Sequence, residues 1–112
     1  MPDRFRDAVA RLDGDAGLLR EMAEMTSPDF PALLNDSAIA VEGGNCEDAV
    51  RTLHKLKGML STFESDGVVL DIQDMISAAR NQNEKLLKQH FERCRPQIEE
   101  LVGVISDFSR DG

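Results

Sequence analysis

The segment TLHKLKGMLSTF, from Thr52 to Phe63, gives the clearest indication of the fold. On a helix with 3.6 residues per turn, its apolar positions and the alanine shortly before it fall on one face. That face contains Ala49, Leu53, Leu56, Leu60 and Phe63. His54 points almost directly away from it, so the pattern predicts a helix that packs on a core and presents a histidine to solvent.

Residues one and two turns from His54 are expected to lie beside its imidazole on the outer surface. These are Val50 before it, and Lys57, Gly58 and Ser61 after it. At neutral pH an exposed imidazole is largely uncharged, and the lone pair on one ring nitrogen can attack a phosphoryl group. Lys57 would then offset the charge of an attached phosphoryl group, and the Ser61 hydroxyl would donate a hydrogen bond to it.

Gly58 needs a separate explanation, because glycine inside a helix costs about 1 kcal/mol relative to alanine. We interpret the missing side chain as clearance that lets a partner approach His54. A lone histidine or lysine on a helix is usually an ordinary surface residue. The prediction of a site therefore depends on the combination of His54, Lys57 and Gly58.

The pentapeptide His54-Lys55-Leu56-Lys57-Gly58 resembles the His-x-Leu-Lys-Gly signature of histidine-containing phosphotransfer (HPt) domains, which relay phosphoryl groups in multistep two-component systems. The resemblance extends to a leading Gly14-Asp15-x-x-Leu18-Leu19 segment and to the helices around the histidine. It implies an all-α fold, an antiparallel four-helix bundle with a short N-terminal capping helix, as a single domain over residues 1–112. The sequence departs from the family after Gly58, where Met59 replaces a small residue and the next glycine is Gly67.

The resemblance also implies the roles of the site residues. His54 would be the phosphoacceptor, Lys57 the charge partner and Gly58 the clearance residue. The expected partner-binding residues are Val50, Arg51, Lys55 and Ser61. The implied partners are receiver domains of response regulators and a hybrid sensor histidine kinase. Mg²⁺ is expected on the receiver only, and this chain is expected to hold no cofactor or metal.

Composition narrows the classes of partner. The 112 residues include 13 Lys and Arg against 21 Asp and Glu, a net charge of -8, which argues against binding to nucleic acids or anionic membranes. Cys46 and Cys94 fall at apolar helical positions and are predicted to be reduced core residues. No apolar run approaches the roughly 18 residues of a membrane span, and no signal peptide is visible. We expect a cytoplasmic monomer.

Around the His54 helix, the pattern predicts a short helix over residues 4–12 and a second segment that Asp15 can cap. The apolar residues of this segment are Leu18, Leu19, Met22 and Met25. Pro28 and Pro31 then enforce either a kink or a boundary between two helices, and both alternatives stay open. The next helix ends at Gly43-Gly44.

Asn45 is the predicted cap of the His54 helix, and Ser65-Asp66 the predicted cap of a helix over residues 67–80. The last helix, over residues 84–108, contains Pro96, which is expected to kink it near Glu92 and Arg93.

Other functions remain as alternatives. The chain could bind receivers without transferring phosphate, or it could be the phosphoacceptor domain of a larger hybrid or chemotaxis kinase. Met1 and the lack of a linker-like stretch favour a free-standing protein.

His90 and Cys94 have metal-ligand spacing on a helix, but no further ligand pair completes a set. No phosphate-binding loop or catalytic carboxylate pair is visible, so no independent kinase activity is expected, and calling the chain an enzyme is a matter of convention.

Overall fold

The computed structural model describes residues 2–110, and all regular secondary structure in this part of the chain is helical. The α-helices are α1 (Arg6–Arg11), α2 (Ala16–Thr26), α3 (Phe30–Glu42), α4 (Cys46–Leu60), α5 (Val68–Arg80) and α6 (Glu84–Arg110). Short 3-10 helices, Asp3–Phe5 and Ser27–Asp29, precede α1 and α3. The predicted all-α class is confirmed. Residues 1, 111 and 112 of the predicted domain lie outside the described part.

Two helices begin at the caps that the sequence predicts. The Asn45 side chain accepts a hydrogen bond from the backbone N–H of Asp48 at 3.1 Å and starts α4. The Asp15 carboxylate accepts one from the N–H of Leu18 at 2.9 Å and starts α2. Each side chain satisfies a backbone donor that the first helical turn leaves without a partner.

The prolines separate two helices. The chain passes from α2 into the 3-10 helix Ser27–Asp29 and then into α3, because Pro28 and Pro31 have no N–H with which to continue the α-helical hydrogen bonds. Of the two predicted alternatives, a kink within one helix or a boundary between two helices, the structure shows the boundary.

The start of α5 differs from the prediction. Gly67 precedes its first residue with φ of 55°, and no side chain caps this end. The predicted Ser65-Asp66 cap is therefore wrong. The chain enters α5 through a left-handed conformation that glycine adopts without a steric penalty.

The helices pack around one apolar core. α4 contacts α3 on one side and α5 on the other, while α6 contacts α5, α3 and α2. α6 continues through Pro96, and at about 1.5 Å per residue its 27 residues account for the 41 Å long dimension of the molecule. Within residues 2–110, no helix combines the length and apolar character that crossing a membrane requires.

The predicted inner face of α4 and the turn after it is confirmed, since all five residues are almost fully buried: Ala49, Leu53, Leu56, Leu60 and Phe63.

The N-terminal segment closes the end of the core that lies beside Phe63. The Phe5 ring packs against those of Phe63 and Phe108, with centroid distances of 5.6 Å and 5.3 Å. The Arg11 guanidinium donates hydrogen bonds to the carbonyl oxygens of Ser61 and Thr62, so the N-terminal segment also holds the end of α4.

Candidate functional site

His54 lies on the outer surface of α4 and is exposed, as the helical spacing predicts. Arg51, Lys55 and Gly58 are exposed on the same side of the helix. The imidazole is held by the backbone of α4, whose opposite face is anchored in the core by its leucines. A rigid helix therefore presents a ring nitrogen to solvent, where a macromolecular partner can reach it.

Lys57 is half-buried between α4 and α5, and its position is fixed by a neighbour. Its Nζ donates a hydrogen bond to Oε1 of Gln73 on α5 at 2.6 Å. An ammonium group one turn from His54 is thereby held on the α5 side of the imidazole. Gln73 is not among the predicted site residues, because spacing along α4 carries no information on which residue of α5 lies opposite.

Gly58 borders open space. A Cβ built on this residue would meet no atom within 4 Å apart from its own helix backbone and immediate neighbours. The glycine is thus not required for packing within the chain. This agrees with the interpretation that its missing side chain matters to an approaching molecule.

Two predicted site residues have other roles in the structure. The Ser61 hydroxyl donates its hydrogen to the carbonyl oxygen of Lys57 at 2.6 Å and lies about 10 Å along the helix from His54. In this geometry the hydroxyl is therefore not available to donate a hydrogen bond to a phosphoryl group on His54. Val50, expected to be exposed, is half-buried and packs against the core, so only part of its side chain can contact a partner.

Arg51 and Lys55 both project from the exposed side of α4. Arg51 forms an ion pair with Asp48 at 2.8 Å. The hydrogen bond that the guanidinium donates to this carboxylate, together with the carboxylate's negative charge, raises the pKa of Arg51. Lys55 lines a groove of about 300 Å³ between α3 and α4, with Asp29 and Asp36 on the α3 side. The surface around His54 is consequently basic along α4 and acidic along α3.

A second groove continues the first. It has a volume of about 460 Å³, shares Asp36 with the first groove and extends past the exposed Ile39 to Asn45 and Arg51. Together the two grooves follow most of the line where α3 and α4 meet. An elongated element of a partner could therefore lie alongside His54.

His90 and Cys94 lie on α6, away from this surface, and Cys94 is buried. Burial raises the pKa of the Cys94 thiol, and the negative charge of Asp71 adds to the effect. Among the residues that the structure describes, no group of three or more histidine, cysteine or acidic side chains is arranged to hold a metal ion.

Comparisons of the chain with models of known protein families, with curated proteins and with solved structures gave no match. The interpretation of this site therefore depends on its residues and their geometry.

Proposed function

We propose that the protein is a histidine phosphotransfer intermediate, in which His54 carries a phosphoryl group between receiver-domain aspartates of a two-component phosphorelay. In this proposal α3, α4, α5 and α6 form the antiparallel four-helix bundle of an HPt domain, and residues 3–11 form its cap. The partners are response-regulator receiver domains and a hybrid sensor kinase. The protein acts as a cytoplasmic monomer.

The arrangement around His54 is the observation that carries the proposal. An exposed imidazole has a lysine fixed on one side by Gln73, at 2.6 Å, and open space over Gly58 on the other. Each feature fits a step of phosphotransfer: the imidazole is the nucleophile, Lys57 offsets phosphoryl charge, and the open space admits the receiver.

The chemical step is a displacement at phosphorus. A ring nitrogen of His54 attacks the phosphorus of a phosphoaspartate, and an N–P bond forms as the bond from phosphorus to the carboxylate oxygen breaks. The carboxylate leaves with the bonding electron pair, and the ring releases its N–H proton to solvent. The receiver supplies the acidic pocket and its Mg²⁺, while this chain supplies the nucleophile and its orientation.

Docking would use the surface beside His54. The groove between α3 and α4 offers apolar contact at Met59 and Ile39, and charge of both signs at Asp36, Arg51 and Lys55. The half-buried Val50 lies outside this groove and would add an apolar contact on the Lys57 side of His54. Charged groups around a small apolar centre orient a transient partner without holding it too tightly for turnover.

The direct test is to incubate the purified protein with receiver domains carrying a radiolabelled phosphoryl group, and to follow label on this chain. We expect label that is labile in acid and stable in base, which is the behaviour of phosphohistidine. His54→Gln should abolish it. The chain has only one other histidine, so His90→Gln is the matched control and should label normally.

Two outcomes would overturn the proposal. Label that persists in His54→Gln would assign the acceptor to another residue. Wild-type protein that binds charged receivers, measured by calorimetry, but takes up no label would instead identify a receiver-binding module without transfer.

A further inference from the structure

The outer face of α2 carries two large apolar side chains that nothing in the described chain covers. Leu18 is 41% exposed and Met25 is 75% exposed. Because they are seven residues apart, they lie on the same side of the helix. Leu19 and Ala23, which are fully buried, anchor the opposite side, where α2 contacts α6.

This pair differs from the other exposed apolar residues. Single exposed leucines are normal on protein surfaces. Ile39, Leu70 and Leu86 are of this kind, with one on each of α3, α5 and α6, whereas α2 carries two that are aligned. The apolar spacing of α2 alone would place these residues in a core, so their exposure requires an explanation of its own.

Acidic side chains accompany the apolar pair. Glu21 and Glu24 are exposed on the same outward part of α2, and neither forms an ion pair within residues 2–110. The basic residue of this helix, Arg20, instead places its guanidinium over the Phe108 ring, 5.1 Å from the centroid. The outer face of α2 is therefore apolar and negatively charged.

We propose that this α2 outer face, formed by Leu18, Glu21, Glu24 and Met25, is a docking surface for a basic amphipathic helix of a partner protein. Leu18 and Met25 are separated by about 10 Å along the axis, a spacing that two turns of a facing helix match. Apolar side chains of the partner would cover them, and its lysines or arginines would pair with Glu21 and Glu24. Methionine suits such a surface because its flexible side chain adapts to its partner.

Charge distinguishes this occupant from others. Two copies of the chain that met through this face would bring Glu21 and Glu24 of one copy against those of the other. An anionic membrane would be repelled in the same way. The docking surface contains no residue of the His54 site, so the proposal does not depend on phosphotransfer.

The test uses an NMR titration of the full ¹⁵N-labelled chain with a designed helical peptide of leucine and lysine. A peptide with glutamate in place of every lysine is the charge control. We expect shifts with the lysine peptide to centre on residues 16–29. Leu18→Ser with Met25→Ser should weaken binding by about tenfold or more. Glu21→Lys with Glu24→Lys should reverse the preference towards the glutamate peptide.

Matched controls separate a site from general attraction to an acidic protein. Leu70→Ser and Leu86→Ser remove exposed apolar groups elsewhere and should leave the affinity unchanged. Shifts spread over the acidic surface, or equal losses in the control variants, would overturn the proposal. Self-association in sedimentation experiments that Leu18→Ser with Met25→Ser abolishes would also overturn it, because the occupant would then be a second copy.

Discussion

At Gly58, stability and function are expected to favour different residues. An added methyl group would meet no atom within 4 Å, and alanine is the better helix former, so Gly58→Ala should raise the free energy of unfolding by about 1 kcal/mol. The same methyl would stand where the receiver approaches His54, and we expect phosphotransfer to slow by about tenfold. Urea unfolding and the rate of label transfer measure the two effects.

Gly103 provides the control for this substitution. It also lies within a helix, α6, and a Cβ there would likewise meet no atom within 4 Å. Gly103→Ala should stabilise the chain to a similar degree without slowing transfer. If Gly58→Ala transferred as fast as wild type, the clearance role of Gly58 would be wrong.

Gln73 is expected to act through Lys57. Gln73→Leu keeps the size of the side chain but removes the acceptor at 2.6 Å from Nζ, so the ammonium is no longer held beside His54. We expect the transfer rate to fall about fivefold, in line with the loss of one hydrogen bond to a charged group at a partly exposed site. Rapid-quench kinetics with a labelled receiver measure the rate.

Gln89→Leu is the matched variant for this prediction, since Gln89 is exposed on α6 and its side chain forms no hydrogen bond with another described residue. Its transfer rate should equal that of wild type. Equal rates in both variants would show that Lys57 needs no support from α5.

The residue-scale features that the sequence could predict are those set by one helix alone. The outward direction of His54 follows from the 3.6-residue period of α4, and the structure agrees. The contact of Lys57 with Gln73 depends on the register between two helices. The Ser61 hydroxyl has an alternative acceptor in the carbonyl oxygen of Lys57, one turn earlier in α4, a local competition that spacing does not reveal.

At the scale of elements, the side-chain caps of α2 and α4 were predictable, and the start of α5 was not. Asn45 and Asp15 cap α4 and α2 through side chains whose chemistry is visible in the sequence. The start of α5 depends on the positive φ of Gly67, a backbone conformation set by the direction in which the chain enters the helix, and not by a capping side chain visible in the sequence. For α2, periodicity alone did not show that Leu18 and Met25 would be left outside the core.

The N-terminal segment is expected to contribute strongly to stability although it is short. Phe5 is fully buried between the rings of Phe63 and Phe108, so Phe5→Ala would leave a cavity and should cost about 3–5 kcal/mol. That is a large share of the roughly 5–15 kcal/mol typical of a domain. Urea unfolding followed by circular dichroism measures the loss.

Arg6→Ala tests whether the effect belongs to the Phe5 ring. Arg6 is exposed and pairs with Asp3 alone, so its removal should change the stability by well under about 1 kcal/mol. A small effect of Phe5→Ala would mean that the N-terminal segment only rests on the core without supporting it.

For the whole molecule, the distribution of charge matters more than its sum. The chain has a net charge of -8, yet residues 49–60 of α4 contain no carboxylate and carry Arg51, Lys55 and Lys57 around His54. The basic strip attracts an acidic partner and so orients the molecule during the approach. In other orientations the acidic remainder of the surface faces the partner and is repelled by it. The receiver pocket expected to meet His54 is such a partner.

Reversing the charge of this strip should therefore slow association. We expect Arg51→Glu with Lys55→Glu to lower the association rate constant with a receiver by about tenfold at low salt, and the difference should shrink as salt screens the charges. Stopped-flow fluorescence over a range of salt concentrations measures it. Lys85→Glu with Arg93→Glu changes the net charge equally but lies on α6, so it should slow association much less. Equal slowing in both double variants would mean that net charge, and not the strip around His54, governs the encounter.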